Sequence, residues 1–341
     1  MNKYFLLPLL FLIFSCASSP DNSGEPAWIN NANSIFSKSQ FVAAVGHDSD
    51  REIAEKNAFA NLAAYFGQSI QADQTIINTY QRAARNGISA GLVDNIAMRN
   101  IITTSVSMDT VVGAEIREVW HDTRNNIFYA VAVMEKAKAI QLYTDMILAN
   151  LEMIRTLTTM SQEDRNSLEG FSRYQFAATA ADINISYVNL LRLLGAQVPN
   201  GVRRGNEYRL EARNITRTIP VAIVVNNDRE GRVQSAFSKV FTDLGFRSGG
   251  NDSRYALRVS VALSQVDFPS NPHRFVQMEL SANLTDTAAR EVLLPFSFNI
   301  REGHPVSSTA ENRVFISAEN RVQEEYKEIL INFLSQLLPE R

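Results

Sequence analysis

An α+β fold in three folded segments is predicted by the sequence. Two observations carry it: strict alternation in three successive strands near the C-terminus, and 3.6-period apolar stripes before and after them. A third is the absence of paired cysteines. Of 341 residues only Cys16 is a cysteine, so stability must come from packing. With 45% apolar and 20% charged residues, the composition supports a real core without staples.

Lys3 and the apolar run Tyr4 to Phe14 read as a secretory signal over residues 1–15. The run has about half of the ~20 residues that a spanning helix needs. Ile13-Phe14-Ser15-Cys16 resembles a bacterial lipobox, with the small Ser15 before the cysteine to be modified and Phe14 bulkier than the common pattern. Lipidation at Cys16 is therefore the expected covalent chemistry. Palmitate-type acyl chains would hold the mature protein on a membrane, two or more being needed for stable anchoring. An ordinary signal peptide cleaved nearby is the alternative. Residues 16–26, rich in Ser, Pro, Asp and Asn, read as a flexible tether.

The first folded segment is expected over residues 27–135. Phe41 to Gly46 is a short apolar run ended by glycine, a buried strand. Ser49 and Glu52 fit a capping box. Ile53, Ala54, Ala58, Phe59, Leu62 and Phe66 then share one helical face. Residues 68–100 have no single reading: Gln68 to Tyr80 suits strand or helix, and Gln81 to Gly91 is polar. From Ile101 the chain turns β-rich. Val111 to Trp120 and Ile127 to Met134, separated by the polar cluster His121 to Asn126, predict a hairpin.

Pro26-Ala27-Trp28, the strand Phe41 to Gly46, the Ala-rich helix, Glu118-Val119-Trp120 and the run Tyr129 to Lys136 together resemble the LPP-twenty family of bacterial envelope lipoproteins. The resemblance covers residues 26 to 140, about a third of the chain. It implies an exported, lipidated, non-enzymatic protein of the surface-antigen or flagellum-associated kind, and it carries no catalytic residues.

Residues 136–218 predict a helical hairpin and a linker. Ile140, Tyr143, Ile147, Leu151, Ile154 and Leu157 form one stripe; Tyr174, Ala178, Ala181, Ile185 and Val188 form the next, ending before Gly195. Two antiparallel helices follow. Val198 to Thr218, with Pro199, two glycines and many arginines, reads as linker with one edge strand.

Residues 219–341 predict a two-layer β-α-β-β-β-α domain. Val221 to Val225 is a buried strand. Val233, Ala236, Phe237, Val240, Phe241 and Leu244 are a helical face stopped by Gly245. The alternating strands carry Tyr255, Leu257, Val259, Val261 and Leu263; then Val276, Met278, Leu280, Ala282 and Leu284; then Val292, Leu294, Phe296, Phe298 and Ile300. Period-2 alternation implies antiparallel pairing with one covered face. Ser308 and Glu311 cap a closing helix bearing Val314, Ala318, Val322, Ile329, Phe333 and Leu337. At the level of topology this segment is similar to the periplasmic domains of the curli-secretion lipoprotein and of the Tol system's N-terminal type.

Function classes narrow from the same residues. Without Lys3 the 33 basic side chains fall to 32 against 36 acidic ones, and no basic run stands out, so nucleic acid is not an expected partner. Gly87-Ile88-Ser89-Ala90-Gly91 matches a nucleophile elbow, yet the polar residues before it make no buried strand. A hydrolase using Ser89 is thus the distant alternative. His47, Asp48 and Asp50 cluster after the first strand but lack a second ligand set; the two carboxylates suit the helix dipole. His121, His273 and His304 fall in turns or loops. Ser248 to Ser253 follows a helix rather than opening one, a turn rather than a phosphate cradle. Trp28, Trp120 and Tyr129 suit core packing or, alternatively, an aromatic patch for peptidoglycan sugars. No metal and no cofactor is expected.

The resulting expectation is a non-enzymatic, lipid-anchored envelope protein, on the outer membrane rather than the inner because Ala17 follows Cys16. Its partners would be the membrane, through Cys16, and envelope proteins. A periplasmic ligand- or peptidoglycan-binding module is the alternative.

Overall fold

In the computed structural model, which describes residues 24–70, 113–266, 268 and 271–338, the chain is α+β with a three-stranded and a four-stranded sheet. It divides into two compact units. Cys16, the tether up to residue 23, Ser89 with its elbow-like motif, and the β-rich start at Ile101 lie outside the described residues.

The first unit contains β1 (Phe41–Asp48), the start of α1 (Arg51–Ile70), β2 (Ala114–Asp122) and most of β3 (Ile127–Glu135). The sheet order β1-β3-β2 puts β3 in the middle. That position explains the unbroken run Ala130, Val131, Ala132 and Val133, all at most 1% exposed: a central strand is covered on both faces and has no polar side. The four residues between β2 and β3 make the expected hairpin, its turn held by Asp122 Oδ1, which accepts from the Arg124 and Asn125 amides.

Gly46 fixes the approach of α1. A Cβ built there would lie 2.1 Å from the Ala58 amide nitrogen and 2.5 Å from the Ala54 carbonyl oxygen. Strand and helix backbones therefore nearly touch, and Ala54, Ala58 and Leu62 are fully buried. Of the expected helical face, Ile53 points to solvent. The cap also differs from expectation. Asp50 accepts from the Ile53 amide at 3.0 Å, whereas the Ser49 hydroxyl donates to Asp48 and Glu52 pairs with Lys56. Asp outbids Ser because its charge also faces the helix dipole.

On the sheet's other face, Trp28 and Phe36 close a core with Val131 and Val133. The short 3-10 turn Ala32–Ser34 carries the chain across it. Trp28 satisfies its only polar atom by donating Nε1–H to Glu118 Oε2 at 2.7 Å.

From Met134 onward the second unit carries three long helices, α2 (Lys136–Thr158), α4 (Leu168–Leu193) and α5 (Gly205–Thr218), with the single turn α3 (Gln162–Arg165) between the first two. Here the linker expectation is corrected: Val198 to Thr218 holds a helix, not an edge strand. The sparse stripe Tyr208, Ala212 and Ile215 is buried against α4. Gly205 lets α5 start against α4, where a Cβ would meet Asp182 Oδ1 at 2.3 Å. Asp182 accepts from the Gly205 amide and pairs with Arg209.

With α2 on one side and α5 on the other, α4 is buried around most of its circumference. That is why its apolar residues spread beyond one stripe. At the α2–α4 contact, Asn150 Nδ2 donates to Asn184 Oδ1 at 2.8 Å, and Asn184 is completely buried. Gly195, at φ +75°, ends α4: the Ala196 amide reaches back to the Leu191 carbonyl and the Gly195 amide to Arg192, a Schellman closure.

The remainder is the expected β-α-β-β-β-α arrangement: β4 (Val221–Asn226), α6 (Arg232–Asp243), β5 (Tyr255–Val266), β6 (Arg274–Asp286), β7 (Glu291–His304) and a closing helix. The sheet order is β4-β5-β6-β7. β4 runs parallel to β5, joined through α6; β5, β6 and β7 are antiparallel. All five apolar residues assigned to β6 are buried, as are Tyr255, Leu257, Val259 and Val261 of β5. In β7 Val292 is 54% exposed, because a register shift at Leu284/Thr285 displaces that end.

The closing helix is α7 (Ser307–Arg321), a π-helical segment Val322–Tyr326 and α8 (Lys327–Gln336). Its first turn has no side-chain cap, so the Ser308–Glu311 capping box does not form. Besides Phe315, its buried residues recur every fourth position: Ala310, Val314, Ala318, Val322, Tyr326, Leu330 and Leu334. In a regular α-helix such a repeat drifts around the axis by about 40° per step. The wider π turn lags and brings the row back onto the sheet. Ile329, expected inside, is consequently 36% exposed.

Candidate functional site

The aromatic residues of the first unit separate into two sets. Trp28 is 2% exposed and belongs to the core. Trp120 and Tyr129 are half-buried and lie at the core's open margin. The strand order brings His47 to them. Tyr129 on central β3 is 5.7 Å from His47 on β1, with the planes 31° apart, and 5.7 Å from Trp120 on β2, at 42°. One ring from each strand thus forms a row across the sheet.

Side-chain alternation places Glu118, Trp120 and Asp122 on one face of β2. The Trp28 indole holds the Glu118 carboxylate. At Asp122, the Asn125 side-chain amide and the turn amides hold the carboxyl below its ordinary range. The row therefore combines aromatic faces with fixed carboxylates on a strand that is outermost among the described residues. It can bind; it holds no nucleophile paired with a base.

His121 belongs to β2 rather than to the turn. It stacks on Phe128 at 4.0 Å and 7°, and its Nε2 lies 3.2 Å from Asn126 Oδ1, on the face opposite Trp120. His304 is the last residue of β7, paired with Arg274, rather than a loop residue, and His273 directly precedes β6. The Val306 amide donates to His304 Nδ1. Ser248 to Ser253 is a turn: the Gly249 amide donates to the Val221 carbonyl, and Gly249 leaves room for the Ser253 hydroxyl. Among the described residues no three His, Cys, Asp or Glu side chains converge as a metal site, and no helix is long and apolar enough to cross a membrane.

In the second unit a cavity of about 190 Å³ lies where α4 begins, lined by Glu163, Leu168, Arg254, Tyr255, Asp286 and Phe333. Its polar groups serve each other. The Leu168 amide donates to the Tyr255 hydroxyl at 3.3 Å, burial pushes that phenol up, and Arg254 donates Nε–H to the buried Asp286 at 2.9 Å. It reads as a joint between the helices and the sheet.

The class this architecture defines is an α+β protein with two sheets, a helical layer and an aromatic margin on the smaller sheet. No family model and no curated protein matches the chain. Among solved structures, a secreted protein from the human pathogen Helicobacter pylori is similar over 83% of this chain and 98% of its own, at 13% identity and a TM-score of 0.42. A minor lipoprotein from Acinetobacter baumannii is similar over 32% of this chain and 92% of its own, at 8% identity and a TM-score of 0.26. A protein from Xanthomonas campestris is similar over 33% and 84%, at 14% identity and a TM-score of 0.27.

Proposed function

We propose that the chain is a lipid-anchored protein of a bacterial cell envelope with a non-catalytic, structural or assembly role. The observation that carries this is the single cysteine, Cys16, placed directly after one short apolar run and a small residue. The likeness of residues 26 to 140 to the LPP-twenty family supports it, because members of that family follow such an anchor. Ala17 favours the outer membrane. Envelope proteins are its partners, and the role calls on no catalytic residue.

Metabolic labelling with an alkyne palmitate analogue tests the anchor. The wild type takes the label and Cys16→Ala does not. An unlabelled wild type, or a variant that labels equally, would remove the basis for the reading. A second reading, a ligand-binding envelope module, is favoured by the row His47, Tyr129 and Trp120, which leaves three rings half-buried or exposed where core packing alone would cover them.

A further inference from the structure

We propose that the row on the small sheet binds a primary ammonium group, presented as the lysine side chain of an extended peptide. This deepens the ligand-binding reading and is independent of whether Cys16 is acylated.

Three features select the ligand. The first is charge. On this face β1 presents Phe41, Ala43, Val45 and His47, β3 presents Tyr129, Val131 and Val133, and β2 presents Ile116, Glu118, Trp120 and Asp122. The face carries carboxylates and neither lysine nor arginine. Glu118 is also pinned: one oxygen receives the Trp28 indole proton, and Trp120 is the next side chain along the same face of β2. An ammonium over an indole or phenol face is attracted by the ring quadrupole, and an adjacent carboxylate adds a counter-charge.

Ring geometry is the second. The planes of Trp120 and Tyr129 are 42° apart, and those of Tyr129 and His47 are 31° apart. A flat sugar chain needs near-coplanar rings to stack along a row. A compact, roughly spherical ammonium does not, and two tilted faces hold it better than one. The third is the backbone. Among the described residues β2 lies at the edge of the order β1-β3-β2, and an edge strand can pair with an added strand, the geometry by which extended peptides are captured. Alternate side chains of such a strand then fall over the row.

The sequence offers a clean assay. The chain has two tryptophans, so the full chain labelled with nitrogen-15 tryptophan gives one indole signal from the core, Trp28, and one from the site, Trp120. Titration with acetyl-Thr-Lys-Thr-amide should shift the Trp120 signal saturably. The norleucine analogue, which keeps the four-carbon chain and lacks only the terminal ammonium, should bind at least tenfold more weakly. Glu118→Gln, which keeps an acceptor for Trp28, should weaken the lysine peptide at least fivefold with both indole signals still dispersed, and Tyr129→Leu should do the same. Equal binding of the norleucine peptide, or an unchanged Glu118→Gln titration, overturns the assignment. Saturation by chitotriose and not by the lysine peptide overturns it too, while sparing the wider ligand-binding reading. If neither probe saturates, both fall.

Discussion

Tyr326 should be worth more to the fold without its hydroxyl. The ring is completely buried, 4.9 Å from Phe237, 5.2 Å from Phe296 and 6.2 Å from Phe241. Its oxygen has no hydrogen-bond partner among the described residues, and burial pushes the phenol far above its ordinary range. An unpaired buried hydroxyl costs about 1–3 kcal/mol. Removing the oxygen empties about 10–15 Å³, which at ~24 cal/mol per Å³ costs roughly 0.3 kcal/mol. Tyr326→Phe should therefore stabilise the second unit by about 1–2 kcal/mol. Urea unfolding followed by far-ultraviolet circular dichroism should show a higher midpoint at unchanged slope, and a melting temperature higher by a few degrees. A midpoint that stays put or falls would refute the reasoning, since it would mean the hydroxyl has a partner such as a trapped water.

Two further substitutions probe the units separately. Asn184→Leu leaves Asn150 buried without its acceptor and should cost about 1–3 kcal/mol, while Asn150→Leu and Asn184→Leu together should cost less than the sum of the two single changes, measured as a double-mutant cycle in urea. Gly46→Ala drives a methyl into the α1 backbone and should destabilise the first unit by about 1–3 kcal/mol or more; tryptophan fluorescence reads this directly, because Trp28 and Trp120 both belong to that unit.

Much of the architecture was legible in the residues because it rests on local rules. Alternation from Tyr255 to Val261 and from Val276 to Leu284 reports a sheet with one covered face, and Gly195 and Gly245 report helix ends. The misses have physical causes. The Gly205–Thr218 helix hides behind its arginines, since its buried stripe is only a few residues and its start depends on Asp182 across the interface. Ile329 was mis-phased because a π turn leaves no mark in apolar spacing. Trp120 and Tyr129 stood out by type, but His47 joins them only through the strand order β1-β3-β2, a long-range pairing that no local pattern encodes.

The π turn in the closing helix has a consequence for how the chain tolerates length change. Taking out one residue between Val322 and Tyr326 would bring the following buried positions one step nearer and turn a four-residue gap into three. Three and four are the spacings an ordinary α-helix alternates to keep one side inward. The shortened helix would relax to regular winding with Leu330 and Leu334 still facing the sheet. The same deletion placed in α7 would rotate everything downstream by about 100°. The helix thus carries one dispensable residue at a defined place, a natural point for related chains to differ in length without refolding.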